Sequence, residues 1–223
     1  MVAAVRPDRH TDPAHAPARA PAHDGVIAID VQPLEALVAE ARACTLCASE
    51  LPLGPRPVFQ LGASARVLIV GQAPGTRVHE SGIPWNDPSG DTLRDWLAVD
   101  RDVFYDPDRF AILPTGLCYP GRGRSGDLPP RPECAPRWHP PLRAALPRIR
   151  LTLLIGAHAQ AYYLGRDRRS VSERVAAWRT FMPGIIPLPH PSPRNRRWLR
   201  LRPWFEAEVV PALRRAVNAA LSE

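Results

Sequence analysis

The chain has 223 residues, 45% of them hydrophobic and 23% charged, enough for one globular domain with appendages. Its formal charge is +7 and all 29 basic residues are arginines; without lysine, a Walker-A phosphate loop and a lysine Schiff base are both excluded. No apolar run approaches the ~20 residues that a bilayer span needs. Pro, His, Asp and Arg interrupt the N-terminus before any apolar stretch, so a cytoplasmic protein without membrane association is expected. An arginine-only basic surface suits nucleic acid, because the guanidinium forks onto phosphate oxygens and stacks on bases. A general abundance of Ala, Arg and Pro also supplies much of that charge.

In chain order, residues 1–25 are rich in Ala, Pro, His and Arg without periodicity and read as a disordered tail, leaving 26–223 as the folded domain. A first helix is expected from Pro33, with Leu34, Leu37, Val38 and Ala41 on one stripe, ending near Cys44. A Pro-rich loop over 47–62 leads to Val67-Leu68-Ile69-Val70, the pattern of a strand buried on both faces. That strand runs into Gly71-Gln72-Ala73-Pro74-Gly75, a turn followed closely by Arg77, His79, Glu80, Trp85, Asn86 and Asp87. Open α/β sheets place their ligands at such strand ends.

Ser89-Gly90-Asp91 opens a second helix with Leu93, Trp96 and Leu97 facing inward. A short strand at 110–113 precedes a Gly/Pro-rich loop over 115–132, then a helix over 138–146 and a strand at 151–155. Gly156 turns the chain into a helix holding Gln160, Tyr162 and Tyr163. A fourth strand at 185–188 leads into Pro189-His190-Pro191-Ser192-Pro193-Arg194-Asn195, and a helix over about 203–221 closes the fold. Strands alternating with helices predict a three-layer α/β/α sandwich around a central, largely parallel four-stranded sheet.

The four cysteines are Cys44, Cys47, Cys118 and Cys134. The first two form a C-x2-C pair, which presents two thiolates from one turn, as tetrahedral zinc or an iron–sulfur cluster requires. Disulfides are the weaker reading in a chain without an export signal. Cys44-Thr45-Leu46-Cys47 follows a helix and does not open one, unlike a thioredoxin-type pair. A metal centre using all four is expected, zinc and iron–sulfur both remaining open on the spacing.

Together these features resemble the uracil-DNA glycosylase superfamily, most closely its iron–sulfur branch, often called family 4. The resemblance spans about 37–213. The cysteine spacing matches that branch's four cluster ligands, and Gly71-Gln72-Ala73-Pro74-Gly75 matches its first motif, usually GEAPG. Gly82-Ile83-Pro84-Trp85 matches a G-x-P-F motif whose ring stacks on the flipped base, and His190-Pro191-Ser192 matches the second motif.

The resemblance implies a monofunctional glycosylase that hydrolyses the N-glycosidic bond of uracil in DNA during base-excision repair. With no lysine, that chemistry is expected to use water. A base must be flipped from the stack to be read; Trp85 would stack on it, with Gln72, Ala73 and Thr115 as further base contacts. His190 would donate a hydrogen bond to the leaving uracil anion, and His79 would orient the water. Ser192, Pro193, Arg194, Asn195 and Arg197 are the expected DNA contacts, and Cys44, Cys47, Cys118 and Cys134 would hold a 4Fe–4S cluster, with zinc as the alternative. DNA is the expected partner of a monomeric protein.

The pattern departs in three places. Gln72 stands where the branch has an acid, Ala73 where classical enzymes have a water-orienting Asp, and Pro114-Thr115-Gly116-Leu117 lacks the uracil-reading Asn before Cys118. Glu80 and Asp87 are then further candidates to position water. The same departures motivate two alternatives: a glycosylase for another deaminated base such as hypoxanthine or xanthine, or a lesion-binding protein without catalysis.

Overall fold

The computed structural model describes residues 32–124 and 126–222; the expected tail over 1–25 and the domain boundary at 26 lie outside the described residues. The elements are α1 (Leu34–Arg42), β1 (Val67–Val70), α2 (Thr76–Ser81), α3 (Pro88–Leu97), α4 (Arg101–Tyr105) and β2 (Phe110–Ile112). There follow β3 (Arg122–Gly123), β4 (Gly126–Asp127), α5 (Cys134–Ala144), β5 (Leu151–Ile155), α6 (Gly156–Leu164) and α7 (Val171–Ala176). The described chain ends with β6 (Ile185–Leu188), α8 (Arg196–Arg200) and α9 (Val210–Ser222).

Four strands form one sheet in the order β2-β1-β5-β6, and every pair in it is parallel. The continuous apolar run of β1 is explained by its central place, with all four residues buried. Successive side chains leave a strand on opposite faces. Val67 and Ile69 accordingly enter a core with Leu93, Trp96, Phe205 and Leu213, while Leu68 and Val70 enter another with Leu37, Ala41, Trp138 and Leu142. These two cores are the spaces between the sheet and its two helical layers, and the expected three-layer sandwich is the fold observed.

The differences are local and have local causes. The loop expected over 115–132 contains the antiparallel hairpin of β3 and β4, with Gly123 opposite Gly126. The helix expected from 138 begins at Cys134, because Pro136 falls in its first turn, where no intrahelical N–H is required. The closing helix is interrupted by a π turn at Phe205–Val209 before α9. Pro211 has no N–H for the carbonyl four residues back, and the wider turn relieves the clash of its ring. Helix α3 starts one residue before Ser89, and the Asp87 carboxylate caps it by accepting from the Gly90 amide at 2.9 Å.

The layer of α5 and α6 also fixes the segment after β2. His139 on α5 is buried, and its Nε2 stands 3.0 Å from the Pro114 carbonyl while Nδ1 stands 2.9 Å from the Tyr163 hydroxyl. A carbonyl can only accept, so Nε2 carries the proton and Nδ1 accepts from Tyr163. Burial pushes the His139 pKa down to about 4. Because this pKa is depressed in the folded protein, the stability it contributes is full above pH ~6.5 and is lost as pH falls toward 4. Thermal midpoints measured from pH 4 to 8 should rise through that window and flatten above it. His139→Gln should remove roughly 3 kcal/mol of that rise; an unchanged slope in the variant would place the titration elsewhere.

Candidate functional site

A cavity of about 470 Å³ opens at the carboxyl ends of β1, β2 and β6. Its walls come from the 71–75 turn, from Trp85 and Asp87, from Pro114, from the hairpin residues Gly126 and Asp127, and from the segment that starts at His190. The 71–75 turn is held from below. The Thr115 amide and hydroxyl both donate to the Gly71 carbonyl, at 3.0 and 3.2 Å, and the same hydroxyl reaches the Gln72 carbonyl at 2.8 Å.

Trp85 lies across Gly71, where a Cβ would stand 3.0 Å from the indole Cζ2. Its backbone is left-handed, with φ 57°, an outlier for a bulky residue. The next turn allows this only because residue 90 is glycine: a Cβ there would stand 1.7 Å from the Trp85 carbonyl oxygen. The Trp85 and His190 rings lie side by side in the cavity wall, centroids 5.6 Å apart and tilted by 36°.

His190 is oriented by its own loop. The Ser192 amide donates to Nδ1 at 3.2 Å, which leaves Nε2 to carry the proton of the neutral ring. The Asn195 side-chain amide donates to the His190 carbonyl at 2.7 Å, and Gly156 at the end of β5 passes 3.7 Å from His190 Cβ, measured from its own virtual Cβ. Burial lowers the His190 pKa, and the Asp87 carboxylate raises it by a smaller amount. The ring is therefore neutral at physiological pH, with its proton on Nε2 and a carboxylate within electrostatic reach.

A platform ring, a neutral imidazole donor and a carboxylate around one cavity are a place where a flat base could be held and its departing charge stabilised. A family model described as the uracil DNA glycosylase superfamily matches residues 59–214. The chain belongs to that superfamily. Membership in the uracil DNA glycosylase superfamily supports a glycosylase-type hydrolase acting on DNA, and the parallel sandwich is the fold expected of it. Among the described residues, no helix is long and apolar enough to cross a membrane.

Of the residues singled out in the sequence, this cavity gathers Gln72, Ala73, Trp85, Asp87, His190, Ser192, Arg194 and Asn195. Pro193, Arg196 and Arg197 lie exposed just beyond it, at the turn into α8. Of the expected catalytic and base-contacting residues, His79 and Thr115 fall elsewhere. His79 is buried on α2 with its ring 5.8 Å from Tyr119 and is not part of the cavity wall. A helical turn sends it away from the Val78 side that does line the cavity. Thr115 lies under the turn with its hydroxyl committed to backbone carbonyls. Glu80 is exposed, so among the acidic candidates after the first motif it is Asp87 that reaches the site. The hairpin residues Gly126 and Asp127 were not anticipated, although Gly121, Gly123 and Gly126 within six positions are a hairpin signal.

The four cysteines line a second, smaller cavity together with Trp138 and Arg131. Cys44 follows α1, Cys47 precedes a 3-10 turn, Cys118 follows β2, and Cys134 begins α5. All four are free thiols. The Leu117 amide donates to Cys134 Sγ at 3.2 Å, and Trp138 Nε1 to Cys44 Sγ at 3.4 Å. Burial pushes the Cys134 thiol up to about 12 and Cys118 up to about 11. Among the described residues, no group of three or more His, Cys, Asp or Glu is arranged to hold a metal ion. Four thiols around one cavity with N–H donors to sulfur are nonetheless the donor set a thiolate-held centre uses. The superfamily match begins at residue 59 and so contains Cys118 and Cys134 but not the first pair.

The close approach at Gly90 yields a direct test. Gly90→Ala should destabilise the protein by about 1–3 kcal/mol or more through the clash with the Trp85 carbonyl, seen as a lower urea midpoint. An unchanged midpoint would show that the 84–90 turn can relax.

Proposed function

We propose that this chain is a monofunctional uracil-DNA glycosylase that hydrolyses the N-glycosidic bond of a flipped uracil and leaves an abasic site for base-excision repair. The observation that carries the reading is the His190 ring in the cavity wall, neutral, with Nδ1 engaged by the Ser192 amide so that Nε2 carries the proton, beside Trp85. The flipped base stacks on Trp85. As the bond to C1′ breaks, the electron pair moves onto the uracil ring, and the Nε2–H of His190 stabilises the charge developing on O2. Asp87 holds the attacking water, takes its proton as the new C1′–O bond forms, and faces the positive charge of the sugar. The exposed Arg197 neutralises phosphate, and Ser192, Pro193 and Arg194 press on the DNA backbone beside the cavity.

A second reading, a glycosylase for hypoxanthine or xanthine, is favoured by one observation. The segment after β2 offers no side-chain amide to read the uracil edge, and the Thr115 hydroxyl is engaged with Gly71 and Gln72. The four cysteines, we infer, hold a 4Fe–4S cluster, with zinc as the alternative. When bound, the cluster supplies a rigid cross-link of α1, the 118 segment and α5. Thiols pushed up by burial must lose protons on loading, so loading favours higher pH.

Base release from single- and double-stranded uracil oligonucleotides, read as alkali-labile strand cleavage, tests the activity. His190→Ala should lower it by about 10²–10³-fold and Asp87→Asn should also lower it, while His79→Ala should leave it nearly unchanged. Wild-type rates in His190→Ala would sink the mechanism. Cleavage of hypoxanthine or xanthine oligonucleotides without cleavage of uracil would select the second reading. With the His190 pKa lowered, the rate should be flat through neutrality and fall only below pH ~6.5, where protonation of Nδ1 breaks the bond from Ser192. Purified protein should contain iron and acid-labile sulfide in similar amounts, both lost in Cys134→Ser. Zinc without sulfide would name the other centre.

A further inference from the structure

Trp85 adopts a conformation that a tryptophan does not choose by itself. Its φ of 57° lies in the left-handed region, which persists for a bulky residue only where the surroundings over-determine it. The surroundings here come from α3 and α4, and they grip successive residues. The Tyr105 hydroxyl donates to the Pro84 carbonyl at 3.0 Å, Arg94 Nη1 donates to the Trp85 carbonyl at 3.4 Å, and Arg101 Nη2 donates to Asn86 Oδ1 at 3.3 Å. The Asp87 side chain then caps α3.

Arg94 is the centre of this arrangement. It is 5% exposed, and its guanidinium also donates to the Tyr105 hydroxyl at 3.4 Å, pairs with Asp91, and lies over the Phe104 ring at 5.3 Å. A buried guanidinium needs such partners to offset its lost hydration. Most of the partners could have been supplied by any core. The one supplied by the Trp85 carbonyl fixes a residue at the cavity wall.

We propose that Arg94 and Tyr105 are positioning residues that hold the Trp85 indole against Gly71 as a preformed platform for the flipped base. The proposal rests on the stacking role given to Trp85 above. A preformed platform avoids the ordering of a large side chain at the moment of capture. It also explains why the turn tolerates a strained tryptophan next to a glycine with no room for a side chain.

Arg94→Ala removes core contacts as well as the bond, so Tyr105→Phe is the sharper variant. It deletes one hydroxyl and keeps the ring packed on Phe104, 5.1 Å away. In the wild-type background Tyr105→Phe should lower kcat/KM for a uracil oligonucleotide about three- to tenfold, the worth of its hydrogen bond to Pro84, with a lower thermal midpoint because Arg94 also loses a partner. In a Trp85→Ala background the same substitution should change nothing further, because Tyr105 acts through Trp85. Equal losses in both backgrounds, no loss in the wild-type background, or full activity in Trp85→Ala would overturn the proposal.

A second measurement reads the clamp without the activity. The indole N–H resonance of Trp85 in isotope-labelled protein should move in Tyr105→Phe, while that of Trp198, bonded to Ser172, should stay. An unmoved Trp85 signal overturns the clamp. A moved signal in a protein that releases no base leaves the clamp standing and removes the glycosylase reading instead.

Discussion

The site depends on how the ends of β1 and β2 are tied together. The parallel ladder continues past the strands: Leu113 donates to the Ile69 carbonyl at 2.9 Å, Thr115 to Gly71 at 3.0 Å, and Gly116 to Gln72 at 2.7 Å. The Thr115 hydroxyl adds its own bonds to the Gly71 and Gln72 carbonyls. Space is equally constrained, since a Cβ on Gly116 would stand 2.9 Å from Pro130 and 3.3 Å from the Ala73 methyl. A turn rich in Gly and Pro, free to wander in isolation, is thereby made part of the sheet. The Trp85 indole packs against this tied-down Gly71, where a Cβ would stand 3.0 Å from its Cζ2.

The electrostatics follow from the same rigidity. His190 sits at the end of a buried strand, where removal from water favours the neutral ring. The Ser192 amide selects which nitrogen carries the proton, and the Asn195 amide holds the backbone beneath it. A fixed neutral donor needs no reorganisation when charge develops opposite it. Asp87 contributes a carboxylate to the cavity wall, and capping α3 fixes where it points. The cap, the strained tryptophan and the grip of Arg94, Tyr105 and Arg101 are thus parts of one short segment, and a change to any of them reaches the cavity.

The cysteine cavity lies on the other side of the same connection. Leu117 donates to Cys134, and Cys134 opens the helix whose His139 holds the Pro114 carbonyl. The segment between β2 and the hairpin therefore touches the base-sized cavity at one end and the thiols at the other. A centre bound by the thiols would stiffen the wall of the cavity without approaching the reacting atoms.

Much of the fold was legible in the sequence because its signals are local. The apolar runs of β1, β5 and β6, the stripe of Leu34, Leu37 and Ala41, and the Gly-rich strand ends need no knowledge of neighbours. The motif residues Trp85 and His190 were legible for the same reason. Other features are products of tertiary contact. Whether His79 or Asp87 faces the cavity depends on which side of a two-turn helix and which cap meet the sheet. Thr115 reads as a base contact until the carbonyls of Gly71 and Gln72 are seen beneath its hydroxyl. The left-handed Trp85 is held by contacts from α3 and α4, and Gly90 is its one trace in the nearby sequence. The sequence by itself determined the strands, the helical layers and the residue types available for chemistry, because period and composition are properties of adjacent residues. The tertiary structure decided which of those residues share a cavity, because that depends on contacts between segments far apart in the chain.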